Sequence, residues 1–555
     1  MRIQPLAVIV IAAGVLALPA SVGAGGQDTL IERACISNAT TGHDADCAGG
    51  RGLANAAYLT VSPDGRFVYV TARDSDSIAA FARNSRTGAL TQLPGAAGCL
   101  SDTGSGHDAA CANASGLDRA AGVTISADGR FVYVAANYGD GVAIFSRDAA
   151  TGALAQVGCI AVNNPACAKG TALDGAVFPA LSPDGRNLYV AAADSNAVVV
   201  FDRDATTGAL TERGCLTDAT HPTTGCTKTP ALDDPSGIAL SADGRNVYVA
   251  AARSSAITSF ARDPATGALT ALGCISGDGG YRQDPACTGA IGLQFVQFVS
   301  VTADGKNVYV GATDSHTIVG FARNPSTGAL TQLPLPDGCV KDFDNGDNPC
   351  APGFGLALPL AVVPSPDGKY VYAASFGYGS VASFKRDPAT GALSQFGPCI
   401  SEGDARCDKG KGLNRAGFLA LSPDGRNVYV NAPNSSAVAI FARSQPPIPP
   451  VIAGRRGKIV KRKAVRLKLI CSSRAETGCF GSVRMSGLGR ARRLRLGSVS
   501  FDIRRGSAAI ILLPAKGRSR KLLRRLRRFD AKALTVTNEP GGDSERTSLV
   551  IHVRR

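Results

Sequence analysis

The chain has 555 residues, with 59 Lys+Arg against 44 Asp+Glu (net +15), 65 Gly, 30 Pro, 16 Cys and no Trp. That length calls for several domains or one large repeat array. An apolar content of 45% excludes wholesale disorder, and the glycines follow no every-third period, which excludes collagen.

At the N-terminus, Arg2 precedes the apolar run Leu6 to Leu18, then Pro19 and small residues. This is the pattern of a secretory signal peptide, residues 1–24, cut after Ala24. The run is 13 residues long, short of the roughly 20 that span a bilayer, so an uncleaved anchor is set aside. No later stretch is long enough to cross a membrane.

The cysteines form eight close pairs, and an even count in an exported chain reads as disulfides. Connectivity is not formally readable from sequence. The short, regular spacing favours sequential pairing: Cys35 with Cys47, Cys99 with Cys111, Cys159 with Cys167, Cys215 with Cys226, Cys274 with Cys287, Cys339 with Cys350, Cys399 with Cys407, and Cys471 with Cys479. Zinc would need tighter Cys/His clusters, so no metal is expected.

A repeat organises residues 26–443. SPDGR or a close variant starts at Ser62, Ser126, Ser182, Ser241, Thr302, Ser365 and Ser422. Seven residues on stands a Tyr, from Tyr69 to Tyr429. Twelve further stands a Phe, from Phe81 to Phe441, and two later an Arg, from Arg83 to Arg443. Six copies continue with Thr-Gly-Ala-Leu. Segments such as NVYVAA and AVVVFDR alternate apolar and polar residues, as strands do, while SPDG and DPATG are turns. Each copy therefore predicts four antiparallel strands. Seven such units predict an all-β chain built on a seven-bladed β-propeller. TLIERACI (Thr29 to Ile36) has the outer-strand pattern without a blade of its own, and the last copy lacks an outer strand. The N-terminal strand should complete the last blade, which also removes an open sheet edge.

The VYVAA strands followed by FxRDPATGAL resemble the YVTN-repeat propellers, and most closely the lactonase-type, 6-phosphogluconolactonase-like seven-bladed family. In enzymatic members the resemblance implies His near the start of the channel-lining strands, with Arg and carboxylate partners. The corresponding starts here read LANA, LDRA, LDGA, LDDP, LQFV, LALP and LNRA, without His.

SQPPIPPV (444–451) is a semi-rigid linker. Residues 451–555 hold 28 Lys+Arg against 6 Asp+Glu, net +22, so the basic character is local. Short alternating segments there predict a small β-sandwich over 452–555, which resembles the Ig-like modules that end many secreted bacterial proteins. RKLLRRLRRF predicts an amphipathic helix with Leu522, Leu523, Leu526 and Phe529 on one face. Its Arg520, Lys521, Arg524, Arg525, Arg527 and Arg528 are candidates for binding a polyanion such as an anionic cell-envelope polymer; a merely solvated face is the alternative. Nucleic acid is not expected, since no aromatic set is interleaved and the chain reads as exported.

In a propeller the disulfide loops and the segments after VYVAA share one face, where a ligand would meet the channel mouth. Asp118, Arg119, Asp174, Asp233, Asp234, Asn414 and Arg415 are the candidates there: they could supply the base and cation that lactone opening needs, or merely solvate the mouth. DFDNGDN (Asp342, Asp344, Asp347) lacks the glycine position and final Glu of an EF-hand and reads as a surface turn. His43/Asp44 and His107/Asp108 repeat a His-Asp pair in two disulfide loops. No Ser/His/Asp set, Cys nucleophile, phosphate loop or cofactor motif is present. The expectation is a secreted, monomeric, non-catalytic binding or scaffold propeller with an unidentified ligand on its loop face; the alternative is a lactonase-like hydrolase at the channel mouth.

Overall fold

The computed structural model describes residues 29–554, except 40–43, 104–107, 278–283, 344–348, 444–450, 453–455, 461–463, 471–478, 489–490, 504–506, 527 and 539–543. The expected signal peptide, nearly all of the Pro-rich linker, His43, His107, Asp344, Asp347, Arg527 and Cys471 lie outside the described residues. Thr29–Ser444 form one compact unit, and the residues from Gln445 onward belong to a second.

The repeat begins with its turn. In the first copy Gly65 N–H donates to the Ser62 carbonyl (2.8 Å), and Ser62 N–H to the Phe67 carbonyl (2.9 Å). The turn glycine stands at φ 65–69° in all seven copies, a region that side chains with Cβ adopt at a cost. The strands on either side are antiparallel, as in blade 3: Ala176–Leu181, Asn187–Ala192, Ala197–Arg203 and Leu210–Asp218. Each blade then adds a short fifth strand that was not expected, such as Thr227–Thr229. It pairs in parallel with the outer strand, Leu216 opposite Thr227. The disulfide sits at this junction, so each one staples outer strand to fifth strand. In blades 1, 5 and 6 the outer strand is interrupted, as between Leu90–Gln92 and Cys99–Asp102. Pro94, Pro334, Pro336 and Pro398 stand in these gaps, and proline cannot donate to a ladder.

The ring closes as expected. Leu30–Asn38 pairs antiparallel with Ala437–Arg443, with Leu30 opposite Arg443 and Ser37 opposite Ala437. Seven disulfides form among the described residues, all between sequential cysteines and none long-range.

The apolar core lies between neighbouring blade sheets, and a polar latch recurs within it. Arg147 Nε donates to Tyr69 Oη (2.8 Å), and its terminal nitrogens donate to the Gly129 carbonyl (2.9 Å) and the Asp64 carboxylate (2.7 Å). Tyr69 Oη in turn donates to the Gly152 carbonyl of the Thr-Gly-Ala-Leu turn (2.8 Å). Tyr69 and Asp64 belong to the preceding blade. All seven Arg residues pair in this way with the turn Asp of the preceding blade, at 2.7–3.8 Å, with Arg side chains only 1–2% exposed. Burial raises the pKa of these Asp residues. Hydrogen bonds from the turn hydroxyl and backbone N–H groups, together with the hydrogen bonds or, for Asp128, the charge of the arginines, outweigh it, so all seven carboxyls stay below their ordinary range.

In the second unit, eight strands form one hydrogen-bonded sheet around a core that includes Val465, Leu467, Val483, Leu513, Leu523, Phe529 and Ile551. The basic helix spans Gly517–Arg525, not Arg520 to Phe529. The backbone turns extended at Leu526 (φ −82°, ψ 132°), and Arg528–Asn538 is a strand. Leu523 is buried from the helix, but Phe529 enters the same core from the strand. The run FDAKALTVTN has strand alternation, which overrides the helical spacing of the leucines before it.

Candidate functional site

The channel mouth is built from two rings of left-handed residues. One ring precedes the inner strands: Asn55, Arg119, Gly175, Asp234, Phe295, Leu358 and Arg415, at φ 50–67°. The other lies in the second hairpin of each blade: Asp76, Asp140, Asn196, Ser255, His316, Gly379 and Ser436, at φ 43–58°. The rings interlock. Each hairpin side chain accepts the N–H of the left-handed residue in the next blade: Arg119 N–H to Asp76 (2.7 Å), Gly175 to Asp140 (2.9 Å), Asp234 to Asn196 (2.9 Å), Phe295 to Ser255 (3.1 Å), Leu358 to His316 Nδ1 (3.1 Å) and Asn55 to Ser436 (3.1 Å). At the seventh step Gly379 has no side chain, and a Cβ there would lie 3.1 Å from the Arg415 nitrogen. His316 therefore acts as an acceptor through Nδ1, the neutral form, and burial pushes its pKa down against Asp342 and Asp314. This histidine was not among the expected mouth residues. The sequence signal was its position seven residues after the repeat tyrosine, which all members of the ring share.

The expected candidates fall on this rim, but not into one constellation. Asp118 and Arg119 lead into blade 2. Burial raises the Asp118 pKa, and Asp76 and Asp102 add to it, while Arg119 opposes. Arg119 reaches Asp74 at 3.4 Å and lies over the Tyr138 ring at 5.0 Å. Asp174 accepts a hydrogen bond from Ser195 Oγ (3.0 Å) within its own blade. Asp233 is buried, 3.9 Å from His221 Nδ1. Asp234, raised by burial against Arg253, lies 3.7 Å from that arginine. Asn414 is exposed and donates its N–H to Ser435 Oγ (3.2 Å). Arg415 lies over the Phe376 ring at 4.8 Å. Among the described residues Arg415 has no carboxylate partner, and no group of three or more His, Cys, Asp or Glu could hold a metal ion.

Three residues below the left-handed ring the channel is filled. Tyr58, Phe178, Phe298 and Phe418 project from the inner segments of blades 1, 3, 5 and 7 and touch in a closed circuit. Ring centres are 5.7 Å apart for Tyr58–Phe178, and 5.9 Å for both Phe178–Phe298 and Phe298–Phe418. Tyr58 and Phe418 stack at 3.7 Å. Blades 2, 4 and 6 place Gly122, Gly237 and Ala361 at the same position. A Cβ on Gly122 would lie 2.4 Å from the Val177 carbonyl, so glycine there lets the inner strands of blades 2 and 3 approach closely. Burial pushes the Tyr58 hydroxyl up to about 12, against Arg73.

The polyanion candidates lie in the second unit. Lys521, Arg524, Arg525 and Arg528 are exposed and Arg520 is half-buried. Four of the five come from the helix, and Arg528 from the strand after it.

The family model described as "Lactonase, 7-bladed beta-propeller" matches residues 33–97, 101–229 and 357–446, more than half of the chain. No curated protein matches it. Among solved structures it is similar to a candidate 6-phosphogluconolactonase from Bacteroides fragilis, at 19% identity over 64% of this chain and 86% of that one (TM-score 0.45). It is also similar to one from Bacteroides uniformis, at 14% identity over 82% and 98% (TM-score 0.45). A third is the periplasmic gluconolactonase of Pseudomonas aeruginosa, at 20% identity over 63% and 86% (TM-score 0.43).

Proposed function

The chain belongs to the seven-bladed β-propeller lactonase family, and from that premise we propose that it is an exported binding or scaffold propeller that holds its ligand on the disulfide-stapled face and does not turn over lactones. The observation that carries this reading is the aromatic floor: Tyr58, Phe178, Phe298 and Phe418 fill the channel just below the mouth. On the rim above, the polar side chains of the second-hairpin ring are engaged in holding the neighbouring blade's backbone. Ring opening needs a base and an oxyanion-stabilising cation aimed at one reacting atom. Arg119 and Arg415 instead lie over Tyr138 and Phe376. The seven disulfides suit an oxidising compartment outside the cytosol. Among the described residues no helix is long and apolar enough to cross a membrane.

A lactonase-like hydrolase is the second reading. It is favoured by Asp118, whose carboxyl is raised by burial beside Arg119, an adjacent base and cation. A panel of five- and six-membered lactones, with and without a phosphate group, separates the two. No turnover above the buffer rate is expected from the whole chain. Turnover that disappears in Arg119→Ala or Arg415→Ala would establish the hydrolase instead.

The basic second unit serves, in this reading, to hold the propeller on anionic envelope material through the exposed cations of Gly517–Arg525 and Arg528.

A further inference from the structure

In a strand with one face on a core, outward positions are ordinarily polar. Ala508–Pro514 breaks that rule. Its inward Ile511 and Leu513 are buried, but its outward Ile510 and Leu512 are 52% and 50% exposed. Single exposed aliphatics are ordinary; two in one outward row form a patch.

What stands opposite them is informative. The neighbouring strand Ala464–Ile470 puts Lys468 directly across from Ile510, and Arg466 across from Leu512. Both cations are exposed, and Ile470 continues their row at 38% exposure. On the far side of Arg466 stands Lys458, also exposed. Directly opposed side chains in a sheet lie about 5 Å apart, so aliphatic tips and cationic heads interleave on one surface. The whole unit carries +22 over residues 451–555.

We propose that this face docks on an anionic phospholipid bilayer, with Ile510 and Leu512 entering the headgroup–acyl boundary and Lys458, Arg466 and Lys468 meeting lipid phosphates. The inference rests on the polyanion reading of this unit and names its occupant. An anionic polymer in water would use the cations and leave two half-exposed aliphatics unsatisfied. A bilayer surface takes both, because interfacial binding adds buried apolar area to electrostatic attraction.

The test uses the full-length chain and phosphatidylcholine vesicles with or without 30% phosphatidylglycerol, alongside retention on a polyglutamate resin. The parent should bind the anionic vesicles and not the neutral ones. The pair Ile510→Ser/Leu512→Ser should lose at least tenfold in vesicle affinity while its resin retention stays within twofold. Arg466→Gln/Lys468→Gln should lose at least tenfold in vesicle affinity as well, while the untouched helix cations keep its resin retention within a few-fold. All four positions are exposed, and an unchanged thermal melt confirms that the variants fold. Vesicle binding that ignores Ile510→Ser/Leu512→Ser overturns the bilayer proposal and leaves the polyanion reading standing. A parent that binds neither vesicles nor resin overturns both.

Discussion

Arg262 lies between blades 3 and 4 with its side chain 1% exposed. Its Nε donates to Tyr189 Oη (2.8 Å), and its terminal nitrogens reach the Gly244 carbonyl (3.1 Å), Asn187 (2.6 Å) and both oxygens of Asp184 (2.9 and 3.1 Å). One planar fork thus ties two turns and a buried phenol together. Arg262→Ala should destabilise the propeller by about 3 kcal/mol, the lower end for breaking a buried pair, because Asp184 keeps partial contact with solvent. Arg262→Lys should restore less than half of that, since an ammonium cannot reach three directions from one plane. Denaturant midpoints for the three chains check both statements. An unchanged midpoint in Arg262→Ala would show that the latch is ornamental. The repeat letters Asp, Tyr and Arg were visible in the sequence as turn and core residues. Their shared latch was not, because its members come from two blades 73–78 residues apart.

A second recurring device lies on the outer strands and meets its exception at the seam. In blade 1, Gln92 Oε1 accepts the Arg51 N–H (3.0 Å) and its Nε2 donates to the Arg51 carbonyl (2.9 Å). Gln156 clamps Ser115 in the same way, Gln332 clamps Ile291 and Gln395 clamps Phe354, always 41 residues apart. Blade 4 has Pro230, which has no N–H, and opposite it Ala271. In blade 3 the clamp is Glu212, and Thr171 offers a hydroxyl as well as its N–H to the carboxylate. At the seam the clamp is Glu32, whose two oxygens receive, among the described residues, only the Lys411 N–H, at 3.2 Å each. A protonated carboxyl could donate to the Lys411 carbonyl as the amides do; a carboxylate cannot. Burial accordingly raises the Glu32 pKa to about 7, opposed by the Lys411 N–H and charge and helped by Glu402 and Asp44. A carboxyl raised on folding favours the folded state below its unfolded pKa, and that contribution fades as pH rises from about 4.5 through 7. Glu32→Gln should therefore melt with the parent at pH 5 and about 2 °C above it at pH 8, a modest gain because the site is partly solvated. Melting scans at the two pH values decide it, and equal melting at both rejects the clamp. In the sequence these glutamines read only as one more outward position of an alternating strand.

At the scale of the whole ring, blade number and closure were legible because they are written as a period, seven turns and a strand without a blade. The fifth strands were hidden in the cysteine loops, where only two or three residues pair. The aromatic floor was hidden because its residues repeat every second blade, at twice the period of the text. The seam is the one place where the ring depends on a strand from the other end of the chain. Leu30–Asn38 supplies the whole outer strand of blade 7, holds Cys35 for Cys47, and carries Glu32. Deleting residues 1–38 removes all three and leaves Ala437–Arg443 as an exposed apolar edge, an invitation to pairing between molecules. The truncated chain should aggregate or melt at least 10 °C lower; a monomer with unchanged melting would contradict the closure. A rescue distinguishes lost closure from general damage. Placing residues 29–50 after Arg443, joined by the repeat's own Asp-Pro-Ala-Thr-Gly turn, makes the last blade a continuous hairpin like its six neighbours. Blade 1 then begins the chain at residue 51, with no strand left to find its partner across some 400 residues. Such a rearranged chain should be monomeric and melt at or above the parent, since the loop that must close is reduced to a turn.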